Sequence, residues 1–232
     1  MLIIAHRGAS GHFPENTLCA FRGALECGAD MCELDVHLTR DGALAVIHDD
    51  TADRTTDGIG PVKAMTLAEL KRLDAGGRFP QFKGERVPTL DEVFSLLRGR
   101  CALNIELKAP EVETRVCACV GVYDAFDTAI VSSFDWAALA RVKDIDGRIR
   151  IGLLAKRGAT RMLSAAVAMG ADAIHPRVDF VNQALCGAAH ERNLEVHAWT
   201  ADDPALIARL IACGVDGIMT NYPERLRALV GR

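Results

Sequence analysis

Ala212-Cys213-Gly214-Val215-Asp216 decides the reading of the fold, because a helical stretch stops there at glycine, an acidic residue follows, and a β-rich run begins. The same joint stands at Leu25-Glu26-Cys27-Gly28-Ala29-Asp30 and at Ala168-Met169-Gly170-Ala171-Asp172. Glycine just past a helix supplies the left-handed conformation that stops it, and a short link to a strand is what α/β units use. The repeated joint predicts a repeated βα architecture. Working outward, short apolar runs fall at 2–6, 32–36, 102–107, 129–134, 150–154, 172–175, 194–199 and 217–220. Most are separated by stretches of helical composition, so the pattern predicts an α/β fold of the (β/α)₈ TIM-type barrel rather than a doubly wound sheet.

A ninth β-like run, 43–47, follows the second after only a few residues that include Asp41-Gly42. So short a link cannot make a parallel crossover, whereas Asp-Gly is a strong hairpin turn, and 43–47 is expected to be a return strand. With Asp41 and Gly42 as the two turn residues, Arg40 pairs with Ala43 and Asp35 falls opposite His48. Residues 51–88 are then a small insertion after strand 2, irregular except for a short helix announced by the Thr66 to Glu69 capping-box spacing. It is expected to be either a substrate-facing excursion or a structural plug at the barrel rim. Thr89 and Glu92 repeat the capping-box spacing and open the helix before strand 3.

The chain has 232 residues, half of them hydrophobic, which suits one barrel domain over 1–232 and leaves no room for a second. Its net charge of −4, from 27 basic and 31 acidic side chains, gives no overall positive field to hold a nucleic acid or an anionic membrane. No apolar run approaches membrane-spanning length. The eight cysteines show no metal-ligand spacing and read as small buried hydrophobes, reduced in a cytoplasmic setting. Met1 to Ala5 make only a strand's worth of apolar residues before His6-Arg7-Gly8, so no signal peptide is expected.

Strands covered by helices should be apolar on both faces, so ionisable residues inside them need a reason. Glu33 and Asp35 alternate with Leu34 and Val36, and Asn104, Glu106 and Lys108 alternate with Ile105 and Leu107. Residues two apart share a face, so three carboxylates and an ammonium converge inside the barrel. Confined carboxylates repel unless a cation neutralises them, and oxygen ligands suit one divalent cation, Mg²⁺ or Ca²⁺. The competing account is a structural network in which Lys108 pairs with Glu106 and Arg7 pairs with Glu33 or Asp35. His6 closes strand 1 beside Arg7, and the hairpin brings His48 to Asp35. Two imidazoles beside a metal and an arginine supply what phosphodiester cleavage requires: a base, an acid, and cations for the phosphate oxygens. His37 shares a face with Asp35 and is a candidate for a supporting role.

Ala5-His6-Arg7-Gly8, Pro14-Glu15-Asn16-Thr17, Glu33-Leu34-Asp35-Val36, His48-Asp49, Arg54-Thr55-Thr56-Asp57-Gly58 and Glu106-Leu107-Lys108 stand in this order, followed by Val131-Ser132-Ser133-Phe134, Val196-His197-Ala198-Trp199-Thr200 and Gly214-Val215-Asp216-Gly217-Ile218. The ordered set resembles the glycerophosphodiester phosphodiesterases over nearly the whole chain. The resemblance implies a barrel of the phospholipase-C-like phosphodiesterase type and metal-dependent hydrolysis of glycerophosphodiesters, such as glycerophosphocholine or glycerophosphoethanolamine, to sn-glycerol 3-phosphate and an alcohol. It implies His6 and His48 as the acid/base pair, Glu33, Asp35 and Glu106 as metal ligands, and Arg7 and Lys108 as phosphate-binding residues. Phe134 and Trp199 match aromatic positions that wall the glycerol end of the pocket, or else are ordinary barrel-core aromatics. Asn221 departs from the aspartate that many relatives carry there.

The nucleophile is left open between water and the glycerol 2-hydroxyl, as is which histidine is the acid. The expected partner is a small-molecule glycerophosphodiester, with no nucleic acid, no stable membrane association, and a homo-oligomer possible. A lysophospholipase D-like enzyme would want an exposed apolar rim, and the insertion offers only Phe79 and Phe82. A non-catalytic binding module would not need both histidines with all three carboxylates.

Overall fold

The computed structural model describes residues 1–77 and 79–231; Arg78, inside the insertion, and Arg232 lie outside the described residues. In chain order the strands are β1 (Leu2–His6), β2 (Met31–Leu38), β3 (Leu44–Val46), β4 (Ala102–Leu107), β5 (Ala129–Ser133), β6 (Arg150–Ala155), β7 (Ala173–Pro176), β8 (Glu195–Ala198) and β9 (Gly217–Thr220). The helices are α1 (Leu18–Glu26), α2 (Leu67–Leu70), α3 (Leu90–Leu97), α4 (Glu113–Val122), α5 (Trp136–Ile145), α6 (Ala159–Ala168), α7 (Gln183–His190), α8 (Pro204–Cys213) and α9 (Pro223–Leu229). Among the described residues, eight parallel strands pair in sequence from β1 and β2 through β4 to β9, and β9 returns to β1, closing the barrel. Apart from α2, which lies in the insertion, each helix follows a barrel strand.

The alternation of side chains sorts the two faces. Leu34, Val36, Ile105 and Leu107 turn outward and join helix residues such as Phe21, Val93 and Val116 in the main core. Inside the barrel, Ile4, Met31, Ile130, Ala173 and Met219 form a separate apolar plug. Glu33, Asp35, Asn104, Glu106, Ser132, His175 and His197, all buried, are the polar residues of the same strands.

The three glycine joints have a definite job at the barrel's N-terminal end. Gly28, Gly170 and Gly214 have φ of +72°, +59° and +84°, the left-handed helix stop that the sequence predicts. The aspartate that follows each one clasps the strand beside it. Asp30 Oδ2 accepts from the Ile3 amide at 2.9 Å, Asp172 Oδ2 from Ile151 at 2.9 Å, and Asp216 Oδ2 from Val196 at 2.8 Å. In each case the aspartate's own amide donates back to the carbonyl of that same residue.

The β2–β3 hairpin is present, but its register differs from the expectation by one residue. Val36 faces Val46 and Leu38 faces Leu44, and the Ile47 amide donates to the Asp35 carbonyl, so Ile47, not His48, stands opposite Asp35. The cause is Gly42. At φ +80° it takes the left-handed position that follows a tight turn, with the Gly42 amide on the Thr39 carbonyl and the Thr39 amide on the Ala43 carbonyl. That is a three-residue loop with a bulge, not the two-residue turn read from Asp-Gly. With β3 and the chain beyond it, a second small core forms from Ala45, Ile47, Val62, Leu70, Ala75 and Val87. Both capping boxes form, with Thr66 and Glu69 opening α2 and Thr89 and Glu92 opening α3.

Candidate active site

Glu33 and Asp35 on β2 and Glu106 on β4 bring one carboxylate oxygen each within 4.8 Å of one another, among the described residues the one group of three such side chains. Adjacent parallel strands place them: Asp35 is in register with Glu106, and Glu33 is one inward-facing step back along β2. Glu33 is 2%, Asp35 0% and Glu106 9% exposed, so water cannot screen their repulsion. Burial first, then the charge of Asp35, pushes the Glu106 carboxyl up to about 7 and that of Glu33 well above the carboxylate range.

Both ion pairs of the competing account also form. Lys108 Nζ lies 2.9 Å from Glu106 Oε1, and Arg7 Nε lies 3.3 Å from Asp35 Oδ2. Two cations do not satisfy the group, since Asp35 Oδ1 is buried without a hydrogen bond, its nearest cation being Lys108 Nζ at 3.7 Å. A trio of under-neutralised oxygens with an open lone-pair site fits a hard divalent cation. Burial alone would lower Lys108, but Glu106 and Asp35 outweigh it and hold the ammonium charged.

His6 ends β1 at the C-terminal mouth of the barrel. Asn221 decides which nitrogen it presents inward: its Nδ2 donates to Asp202 Oδ2 at 2.6 Å, which leaves Oδ1 to accept from His6 Nδ1 at 2.8 Å. His6 Nε2 is then free of hydrogen, 4.0 Å from Glu33 Oε2. Burial, then Arg7, pushes this imidazole down to about 4.

His48 reaches the same mouth despite the altered hairpin register, because it lies just past the end of β3. Its Nδ1 donates to Asp49 Oδ1 at 2.6 Å, and its Nε2 accepts from Lys108 Nζ at 3.1 Å. Each histidine thus has Nδ1 anchored outward and Nε2 turned in. His37 does not touch the carboxylates; its Nε2 holds the His48 carbonyl at 3.1 Å and so fixes the loop that carries His48.

A chain of alternating charge ties the two sides together. Arg54 grips Asp49 through Nε at 2.6 Å and Glu15 through Nη1 at 2.7 Å, and Glu15 in turn accepts from Arg7 Nη1 at 2.8 Å. Asn16, with φ +58°, turns its Nδ2 onto Asp35 Oδ2 at 2.9 Å. The roles of Glu15, Asn16, Asp49 and Arg54 were not read from the sequence, although all four stand inside its recognisable motifs. Asp202 carried no signal at all.

Phe134 and Trp199 follow the ends of β5 and β8 and meet edge to face, with ring centroids 5.4 Å apart. They wall a cavity of about 230 Å³ that opens over Glu33, Glu106 and Lys108, and Lys156 lies 5.2 Å from the Phe134 ring on the same wall. A larger cavity of about 410 Å³ adjoins it, between the barrel mouth and the insertion, and His6 and Arg7 line both. His175 and His197 do not join the site. They stack in the barrel interior with centroids 5.0 Å apart, where a Cβ at Gly152 would come within 2.6 Å of the His175 ring.

The sequence profile described as the glycerophosphoryl diester phosphodiesterase family matches residues 6–225. A glycerophosphodiester phosphodiesterase of Caldanaerobacter subterraneus subsp. tengcongensis is 43% identical over 99% of this chain and 97% of its own length. The crystal structure of a glycerophosphodiester phosphodiesterase from Agrobacterium tumefaciens superposes with a TM-score of 0.88 at 33% identity, covering 97% of this chain and 98% of the other. An Oleispira antarctica phosphodiesterase, solved in complex with the product sn-glycerol-3-phosphate, gives a TM-score of 0.89 at 30% identity, covering 99% and 96%.

Proposed function

The chain belongs to the glycerophosphoryl diester phosphodiesterase family, and from that premise we propose that it hydrolyses water-soluble glycerophosphodiesters, such as glycerophosphocholine and glycerophosphoethanolamine, to sn-glycerol 3-phosphate and an alcohol, using one divalent cation, Mg²⁺ or Ca²⁺. The observation that carries the proposal is the pair of imidazoles beside a buried trio of carboxylates, each with Nδ1 anchored, His6 Nε2 facing Glu33 and His48 Nε2 facing Lys108. Binding alone needs no such pair.

Glu33, Asp35 and Glu106 would hold the cation, which when bound would supply positive charge beside the phosphate. Arg7 and Lys108 neutralise the remaining phosphate charge. One imidazole Nε2 takes the proton from the attacking oxygen, that of water or of the glycerol 2-hydroxyl, the latter giving a cyclic phosphate that water then opens. The bond from phosphorus to the alcohol oxygen breaks, and the other histidine protonates that oxygen. Phe134 and Trp199 wall the glycerol end.

Phe82 packs on Phe13 with centroids 5.0 Å apart, and Phe79 on Phe82 at 6.2 Å. The insertion's aromatics are thus packed on one another and on Phe13, which favours a soluble substrate. No helix of the described residues is long and apolar enough to cross a membrane. All eight cysteines are free thiols, and we infer a cytoplasmic setting from that.

The test is release of sn-glycerol 3-phosphate from glycerophosphocholine, with EDTA and then with Mg²⁺ or Ca²⁺ restored. Release should stop with EDTA and return with the cation. His6→Ala and His48→Ala should each lower kcat by roughly 10²- to 10⁴-fold with an unchanged melting temperature. Near-normal turnover in both variants would overturn the acid/base assignment.

A further inference from the structure

We propose that the cavity of about 410 Å³ between the barrel mouth and the insertion holds the departing alcohol, and that its chemistry selects uncharged polyols over quaternary ammonium alcohols. This rests on the hydrolase reading above and adds the alcohol class to it.

Position comes first. A diester with its phosphate over the carboxylates and its glycerol against Phe134 and Trp199 fills the cavity of about 230 Å³. Its other ester arm has to pass His6 and Arg7, the residues that line both spaces, and so enters the larger one. That space has room for an alcohol with a ring and several hydroxyls.

The walls then choose among alcohols. A quaternary ammonium wants a free carboxylate or an open aromatic face. The carboxylate available is Glu15, and its two oxygens already accept three hydrogen bonds from Arg7 and Arg54. Of the aromatic walls, Tyr222 has the Arg225 guanidinium 3.7 Å from its ring centroid and His12 against it edge to face, while Phe79 is turned to Phe82. Among the described residues of the wall, Arg7 and Arg54 close around Glu15 and leave it no free charge for an ammonium.

For an anionic alcohol the arginines are already committed, Arg7 also to the phosphate. Arg54 spends Nε, Nη1 and Nη2 on Asp49 and Glu15, and Arg7 is held between Glu15 and Asp35. What the described wall still offers is hydroxyl and peptide chemistry: the Thr55 and Tyr222 hydroxyls, and the backbone at Gly77. These groups match alcohols that both donate and accept hydrogen bonds.

The experiment compares kcat/KM for glycerophosphoinositol and glycerophosphocholine with the full chain and added Mg²⁺ or Ca²⁺, reading their common product, sn-glycerol 3-phosphate. The inositol ester should be preferred by about tenfold or more. Tyr222→Ala, the milder Tyr222→Phe, and Thr55→Val should each pull the ratio toward one. A wild-type ratio of one or less, or a ratio that all three variants leave in place, overturns the alcohol assignment while the hydrolase reading stands. No product from either ester overturns both.

Discussion

With its amide nitrogen held by Asp202, Asn221 can show His6 only a carbonyl oxygen, and the imidazole has no choice of tautomer. Asn221→Leu removes that constraint without touching the carboxylates. We expect kcat to fall about 10- to 100-fold, with KM and the melting temperature little changed. Steady-state kinetics on one substrate, set beside a thermal melt, decides this. The sequence displays Asn221 as a departure from aspartate, but its function depends on Asp202, nineteen residues earlier on another loop. Glu33, Asp35 and Glu106 were legible because strand alternation alone assigns them a face, and His6 because it closes a strand. Asp202 and Arg54 sit in irregular chain, where no period tells which way a side chain turns.

At the scale of the elements, the joints at Asp30, Asp172 and Asp216 make one arrangement three times, pinning neighbouring strands at the end of the barrel away from the chemistry. Alanine at any one of them should cost roughly 1–2 kcal/mol in denaturant unfolding with kcat unaffected, since each loses a hydrogen bond to a charged acceptor at a partly exposed site. Asp30 and Asp172 serve different strand pairs, so their double variant should be near additive. The sequence revealed the joints through glycine and an acid in fixed order, though not that the acid reaches across to the next strand. It also revealed a hairpin after β2 but mistook the turn by one residue. Asp-Gly is compatible with both a two-residue turn and a type I turn closed by a left-handed glycine, and only the strand pairing separates them. His48 still lies at the mouth because its loop, held by His37, places it there whatever faces Asp35.

For the molecule as a whole, the carboxylate trio sets how stability answers to pH and to cation. Without cation the folded protein keeps protons on Glu33 and Glu106 that an unfolded chain releases above pH 4.5, so this group's contribution to stability falls as pH rises from 4.5 through about 7. A bound cation removes that penalty. The difference in melting temperature between cation-loaded and EDTA-treated protein should therefore grow from pH 5.5 to pH 8. At a hundredfold excess over Kd the gain should be about 2.7 kcal/mol, or roughly 5–10 °C for a chain of this size, by scanning calorimetry. A difference that shrinks with rising pH would remove the trio from the account. The barrel and the insertion divide the molecule in another way. The insertion carries its own small core of Val62, Leu70, Ala75 and Val87 on the back of β3, and reaches the reacting centre mainly through Arg54. Its loops can therefore vary through inheritance, by exchange or by drift, while the barrel's acids and imidazoles stay fixed. A lineage can explore new diets of alcohol with its reaction held constant.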